Sequence, residues 1–300
     1  MILLYNDLMV KHKFKALLFI TLAIMPSCQR LRTWPKQAIL APRSNPTEGV
    51  SQAIGYYSSG CLKGGKTFNG KERGLIISQT RRGRFWGHSQ LIDLLTEVGE
   101  FSHKVLKKAV VIGDLSLSRG GPTVGGHSSH QNGLDVDIWF DMAAEGPRSF
   151  VLLQTEEMKS ILKDGVMGKG FAKPQEMLLS LLSQDKRVQR IFVHPLIKKK
   201  LCSDKVHFNE ESLRKIRPWY GHDDHLHLRL NCPEGDKSCR KQPDPPVGDG
   251  CDQLEWWFSK EAQAEQAKFD YSFDSMKEKY LNGIESWPRE CLGIYQGVKL

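Results

Sequence analysis

The chain has 300 residues, room for one large domain or two small ones, and its 43 Lys and Arg against 34 Asp and Glu give a net charge of +9. The absence of internal repeats and of a long low-complexity linker excludes a repeat array and favours one domain. The basic balance suits an anionic partner, and by itself does not choose among cell wall, nucleic acid and anionic lipid.

Lys11, Lys13 and Lys15 precede an apolar run from Ala16 to Met25, followed by Pro26, Ser27 and Cys28. This order reads as an export signal over residues 1–28, with Met1 or Met9 as its start. The run is far short of the ~20 apolar residues of a membrane-spanning helix. Cys28 stands where a lipoprotein signal places its acylated cysteine, which is compatible with a lipid anchor, although Met25 and Pro26 fit that signal poorly. Without residues 1–27, which carry three Lys and one Asp, the charge is still about +7. The other six cysteines, an even number, suit disulfides in an oxidising compartment and lack the Cys-x-x-Cys spacing of a thiolate zinc site.

Residues 29–54, polar and punctuated by Pro35, Pro42 and Pro46, read as a tether, with the folded body (55–300) starting near Gly55. From Gln90 to Lys108, Leu91, Leu94, Leu95, Val98, Phe101 and Val105 recur at helical spacing, and Ala109–Gly113 reads as a buried strand. Gly120, Gly121, Gly125 and Gly126 then lead the chain to His127 and His130. Residues 134–140 alternate, with Leu134, Val136, Ile138 and Phe140 on one face and Asp135, Asp137 and Trp139 on the other, as in a half-buried strand. A helix over 173–184, a strand over 188–193 and short helices over 195–202 and 210–216 follow. His225–Leu230 alternates again, with Leu226, Leu228 and Leu230 opposite His225, His227 and Arg229. Helices interrupting non-repeating strands predict an α+β fold.

Five of the ten histidines fall in two groups, His127 with His130 and His222 with His225 and His227, each adjoining an alternating strand. Clustered imidazoles beside a carboxylate supply the donors that zinc accepts. If the two strands meet, His130, Asp137 and His227 give three ligands and leave a position for water, the arrangement of a catalytic zinc. His225 projects from the same strand face as His227, placed to act as a base or to stabilise an oxyanion. Spacing alone leaves open which of the two binds metal.

These residues carry a specific resemblance. Gly125-Gly126-His127-Ser128-Ser129-His130-Gln131-Asn132-Gly133-Leu134-Asp135-Val136-Asp137-Ile138, Ile191-Phe192-Val193-His194-Pro195, and Arg217-Pro218-Trp219-Tyr220 leading into His222-Asp223-Asp224-His225-Leu226-His227 resemble the penicillin-insensitive murein endopeptidases. That family lies within the lysostaphin-type and D-Ala-D-Ala metallopeptidase superfamily, and the likeness runs from about Gly55 through Cys291. The resemblance implies an α+β fold with a central antiparallel sheet, a zinc site on its face and bracing disulfides. It implies one Zn2+ on His130, Asp137 and His227, His225 as base or transition-state partner, and assistance from His222. The implied reaction is hydrolysis of the D-alanyl–meso-diaminopimelyl cross-link of peptidoglycan in the periplasm, by metal-activated water and without a covalent enzyme intermediate.

The family also suggests a second metal near His127 and a downstream Asp-x-x-His; Asp164 matches, but Met167 stands in place of the histidine, and a thioether is a poor zinc ligand. Asp164 reads equally as a turn residue before Gly165, and His127 as a donor that orients His130. His88 matches a family position but is equally a structural histidine, and the roles of Trp86, Trp219 and Tyr220 stay open. By the same resemblance the cysteines pair as Cys61–Cys291, Cys202–Cys251 and Cys232–Cys239, and a homodimer is implied by analogy. The rival readings are a superfamily carboxypeptidase trimming D-alanine and a catalytically silent wall-binding lipoprotein. Nucleic acid is not expected as a partner, since the export signal argues against a nuclease and no nuclease motif is present.

Overall fold

The computed structural model describes residues 45–123, 128–204, 206–268 and 287–296. The export signal with Cys28, most of the tether and His127 lie outside them.

The first strands form a hairpin, β1 (Gln52–Tyr56) and β2 (Ser59–Lys63), closed by the two residues Tyr57 and Ser58. Gly55 therefore lies inside β1. The ordered chain reaches further back than that glycine, since Ser51 is buried and the Gly64 amide donates to Thr47 Oγ1 at 2.8 Å.

A six-stranded sheet carries the rest. Its strands are β3 (Leu75–Ile77), β4 (Val110–Ile112), β5 (Asp135–Trp139), β8 (Val188–Val193), β9 (Ile216–Pro218) and β10 (His225–Leu230). The spatial order is β3-β4-β5-β10-β8-β9, and a separate short hairpin pairs β6 (Leu162–Lys163) with β7 (Val166–Met167). The middle of the sheet, from β4 through β8, is antiparallel as expected, while the outer pairs β3–β4 and β8–β9 are parallel. Each parallel pair is joined through a helical crossover, which is what parallel pairing demands.

Helices α1 (Ser89–Phe101), α3 (Lys173–Gln184), α4 (Pro195–Ser203) and α5 (Glu210–Lys215) contribute to the main core, as the sequence periodicity predicts, while α2 (Pro147–Leu152) lies apart from it. Leu91, Leu94, Leu95 and Val98 of α1 pack with Leu178, Leu179 and Leu182 of α3 against Val136, Ile138, Leu226 and Leu228 of the sheet. Val105 departs from expectation. The chain winds as a π-helix over Ser102–Leu106, and the extra residue in that turn rotates Val105 off the apolar stripe, leaving it half exposed.

Two helices, α1 and α4, start on a histidine. His88 Nδ1 accepts from the Gln90 amide and His194 Nδ1 from the Leu196 amide, each at 3.2 Å, so both imidazoles cap helix N-termini. His88 is thereby a structural residue.

Three disulfides brace the fold. Cys61 of β2 is bonded to Cys291 in the helix Arg289–Gln296, Cys202 of α4 to Cys251, and Cys232 to Cys239 just beyond β10. No helix among the described residues is long and apolar enough to cross a membrane.

Candidate metal centre and substrate groove

β5 was expected to be half-buried, yet every residue of it, and of β10, is buried. Their apolar side chains enter the core beneath the sheet, and their polar side chains bury one another on the opposite face. The antiparallel register makes Asp137 the partner of His227 and Asp135 the partner of Arg229. Side chains directly opposite in such a pair stand about 5 Å apart, so the register alone sets a carboxylate against an imidazole and a second carboxylate against a guanidinium.

His130 joins this row from the loop before β5. Its backbone adopts φ 64°, a left-handed conformation that costs a non-glycine residue on the order of 1 kcal/mol. The next residue holds it there: the Gln131 amide donates to Tyr57 O, the Gln131 carbonyl accepts from the Gly121 amide at 2.8 Å, and its side-chain oxygen accepts from the Gly60 amide. Asp137 is fixed through its own backbone, donating to Asp114 O at 2.9 Å and accepting from the Gly113 amide at 2.8 Å.

The result is one polar focus. His227 Nδ1 lies 3.0 Å and His130 Nε2 3.4 Å from Asp137 Oδ1, and the three ligand atoms offered by His130, Asp137 and His227 all lie within 4.8 Å of one another. Relative exposures of 0%, 1% and 4% keep these groups from bulk water. Two imidazole nitrogens and one carboxylate oxygen form a donor set that fits a divalent transition metal and is poor in the oxygens that calcium or magnesium require.

The groups behind the focus orient its imidazoles. His227 Nε2 is 2.9 Å from Asp135 Oδ1, a pairing that suits a hydrogen on Nε2 and leaves Nδ1, 3.0 Å from Asp137 Oδ1, as the nitrogen a metal could take. Asp135 Oδ1 also accepts from Arg229 Nε at 2.6 Å, and Arg229 in turn donates to Gln242 and lies over the Tyr57 ring. Burial raises the Asp135 pKa, but Arg229 and His227 outweigh it and hold the carboxyl well below the usual range.

His225 stands beside the trio. Its Nε2 is 3.6 Å from Asp137 Oδ1 and its Nδ1 2.5 Å from Asp224 Oδ1. Burial disfavours its protonated form, yet the carboxylates of Asp137 and Asp224 prevail and raise its pKa. His222 behaves oppositely. Its Nδ1 donates to Tyr220 O at 3.1 Å, and burial, with His225 and His227 close by, holds its pKa well below the ordinary value.

A groove of about 500 Å³ opens over this focus. His222, His225 and His227 face it together with Phe192, Trp219 and Tyr220, which answers the open question about the two aromatics; Trp86 instead bridges Ser116 away from the groove. Asp164 is not part of the cluster. With Gly165 it forms the two-residue turn between β6 and β7, both at positive φ (51° and 74°), which is the I′ geometry suited to such a hairpin.

The residues that the sequence reading did not assign are Asp135, Asp224, Arg229 and Tyr57. Asp135 and Arg229 share strand faces with Asp137 and His227, a signal that becomes decisive only once the pairing register is known.

Residues 53–296 match the family model described as penicillin-insensitive murein endopeptidase. The chain belongs to the penicillin-insensitive murein endopeptidase family. Among curated members of that name, it is 36% identical to the protein of Klebsiella pneumoniae strain 342 over 240 residues, covering 79% of this chain and 86% of the relative. It is 37% identical to that of Escherichia coli O1:K1 over 240 residues with the same coverage, and 36% identical to that of Shigella boydii serotype 18 over 241 residues. The family match takes in the His130, Asp137 and His227 cluster, the groove above it and all six bridged cysteines.

Proposed function

We propose that this protein is a zinc-dependent endopeptidase that hydrolyses the D-alanyl–meso-diaminopimelyl cross-links of peptidoglycan. The observation that carries this reading is the convergence of His130, Asp137 and His227 at the base of a groove that two further imidazoles, His222 and His225, also face. These three residues are the ligands, and one zinc per chain is expected. Bound there, zinc supplies a Lewis acid that polarises the scissile carbonyl and lowers the pKa of water.

The remaining work falls to the chain's own groups. Asp135 keeps the hydrogen of His227 on Nε2 and so fixes the ring in its ligating orientation. His225, whose Nδ1 is committed to Asp224, receives the water's proton at Nε2 and returns it to the departing amine. His222, neutral and with Nδ1 committed to Tyr220 O, offers Nε2 as an acceptor for an N–H of the peptide. No side chain is acylated, which accounts for insensitivity to penicillins. On this reading residues 1–28 export the chain to the periplasm, Cys28 is a candidate for acylation, and the chain from β1 onward acts as one metallopeptidase domain on an anionic polymer.

The test is digestion of purified cross-linked murein by the mature protein, followed by chromatography, with and without chelator and beside His225→Ala. Conversion of cross-linked dimers to monomers, abolished by chelator and by the substitution, is the expected outcome. Intact dimers with free D-alanine would indicate a carboxypeptidase, and bound murein without any product would indicate a wall-binding protein.

A further inference from the structure

A second functional row runs beside the metal row. On the groove face, Asp137, His227 and Phe192 are register partners across β5, β10 and β8; two residues along, about 7 Å, the partners are Asp135, Arg229 and Arg190. The two arginines are not equivalent. Arg229 is committed to Asp135, Gln242 and the face of Tyr57. Arg190 reaches no carboxylate within 4.0 Å among the described residues. Its Nε donates to Gln189 Oε1 at 2.9 Å and its Nη2 to Pro243 O at 2.5 Å, and Nη1 has no protein acceptor among the described residues.

Arg190 also faces the groove. Its guanidinium carbon is 6.0 Å from the centre of the Phe192 ring, and that ring lies 5.5 Å from the His227 ring. Among the described residues lining the groove there is no aspartate or glutamate. Burial, and then the neighbouring charge of Arg229, lower the Arg190 pKa, so an anion placed against this pair relieves a cost that the protein alone leaves standing.

We infer that Arg190 is a specificity-determining residue that binds the carboxylate on the carbon attached to the scissile nitrogen. The inference rests on the endopeptidase reading for its substrate. A fixed guanidinium with a free edge is suited to a carboxylate. In the cross-link that reading assigns, the diaminopimelyl residue bears its carboxylate next to the nitrogen released by hydrolysis. That is the anion closest to the reacting bond, and Arg190 is one strand across and two residues along from His227. With the carbonyl over the trio and the carboxylate at Arg190, the peptide is oriented across Phe192.

The test uses one cross-linked peptide dimer in two forms, with that carboxylate free or amidated, on the zinc-loaded wild type and Arg190→Gln. Binding is measured by calorimetry with slowly cleaved Asp224→Asn enzymes, and kcat/KM with otherwise unaltered ones. The wild type should prefer the free carboxylate by roughly 10- to 100-fold, and Arg190→Gln should erase that preference while leaving the amidated form little changed. Equal losses on both forms would assign Arg190 a structural role, and a preference that survives the substitution would place the carboxylate elsewhere; either overturns the inference. Should the wild type cleave neither form, the endopeptidase reading fails, and the binding preference still decides whether Arg190 holds this carboxylate.

Discussion

Replacing Asp135 by Asn separates the two duties of one buried carboxylate. Asp135 is fully buried and accepts from both His227 Nε2 and Arg229 Nε through one oxygen. Removing one partner of a buried ion pair costs about 3–5 kcal/mol, because it leaves the other charge uncompensated. Arg229 keeps its bond to Gln242 and its stacking on Tyr57, so the lower end, about 3 kcal/mol, is expected for the apoprotein in urea unfolding. Losing the group that orients a ligating imidazole costs roughly 10- to 100-fold in metal affinity, to be read by zinc competition against a chromophoric chelator. The double variant Asp135→Asn/Arg229→Met removes the stranded charge, so it should recover part of the stability and none of the affinity. Zinc affinity within about twofold of wild type in the single variant would refute the orienting role argued here.

Three further outcomes are expected. His194 caps α4 through an unprotonated Nδ1 and burial lowers its pKa, so the unfolded chain takes up its proton first as pH falls. The contribution of His194 is therefore complete above the unfolded value of about 6.5 and lost below it, and His194→Asn, which preserves the cap, should lessen the drop in urea midpoint between neutral and acid pH; an unchanged drop would assign the loss to other groups. Cys61→Ala/Cys291→Ala opens a bridge spanning 230 residues and should lower stability by about 2–5 kcal/mol with zinc affinity unchanged, because that bridge joins β2 to the C-terminal helix and not to the ligand strands. At Gly120, with φ 68°, an added Cβ would meet Gln131 O at 2.0 Å, so Gly120→Ala should destabilise by at least about 2 kcal/mol and weaken metal binding by displacing the residue after His130, measured by the same unfolding and competition assays.

Much of this arrangement was legible from periodicity. The stripe Leu91, Leu94, Leu95 and Val98 marked α1, and alternation marked β5 and β10 within a residue of their ends, because their apolar faces line one continuous core. Clustering marked His130, Asp137 and His227, and the resemblance supplied the cysteine pairs that the structure contains. The hairpin of β1 and β2 was not read, since its apolar residues are interrupted by Gly55 and Gly60, and β6–β7 was too short to show a period. The parallel outer pairs and the bond from Asp135 to His227 depend on contacts between residues far apart in the chain, which no local pattern contains. The two capping histidines escaped because imidazole is not among the usual N-cap side chains.

The pairing of β5 with β10 gives the site a parity. A shift of β10 by one residue would turn Leu226 and Leu228 toward the groove and send His225 and His227 into the core, so that state holds no metal and no core at once. A shift by two would keep every face correct and set Arg229 or His225 opposite Asp137, putting a guanidinium or the proposed base in the place of a ligand. Metal capture thus reports correct strand alignment to a single residue, and an ion added during refolding would select the one pairing in which His227 meets Asp137.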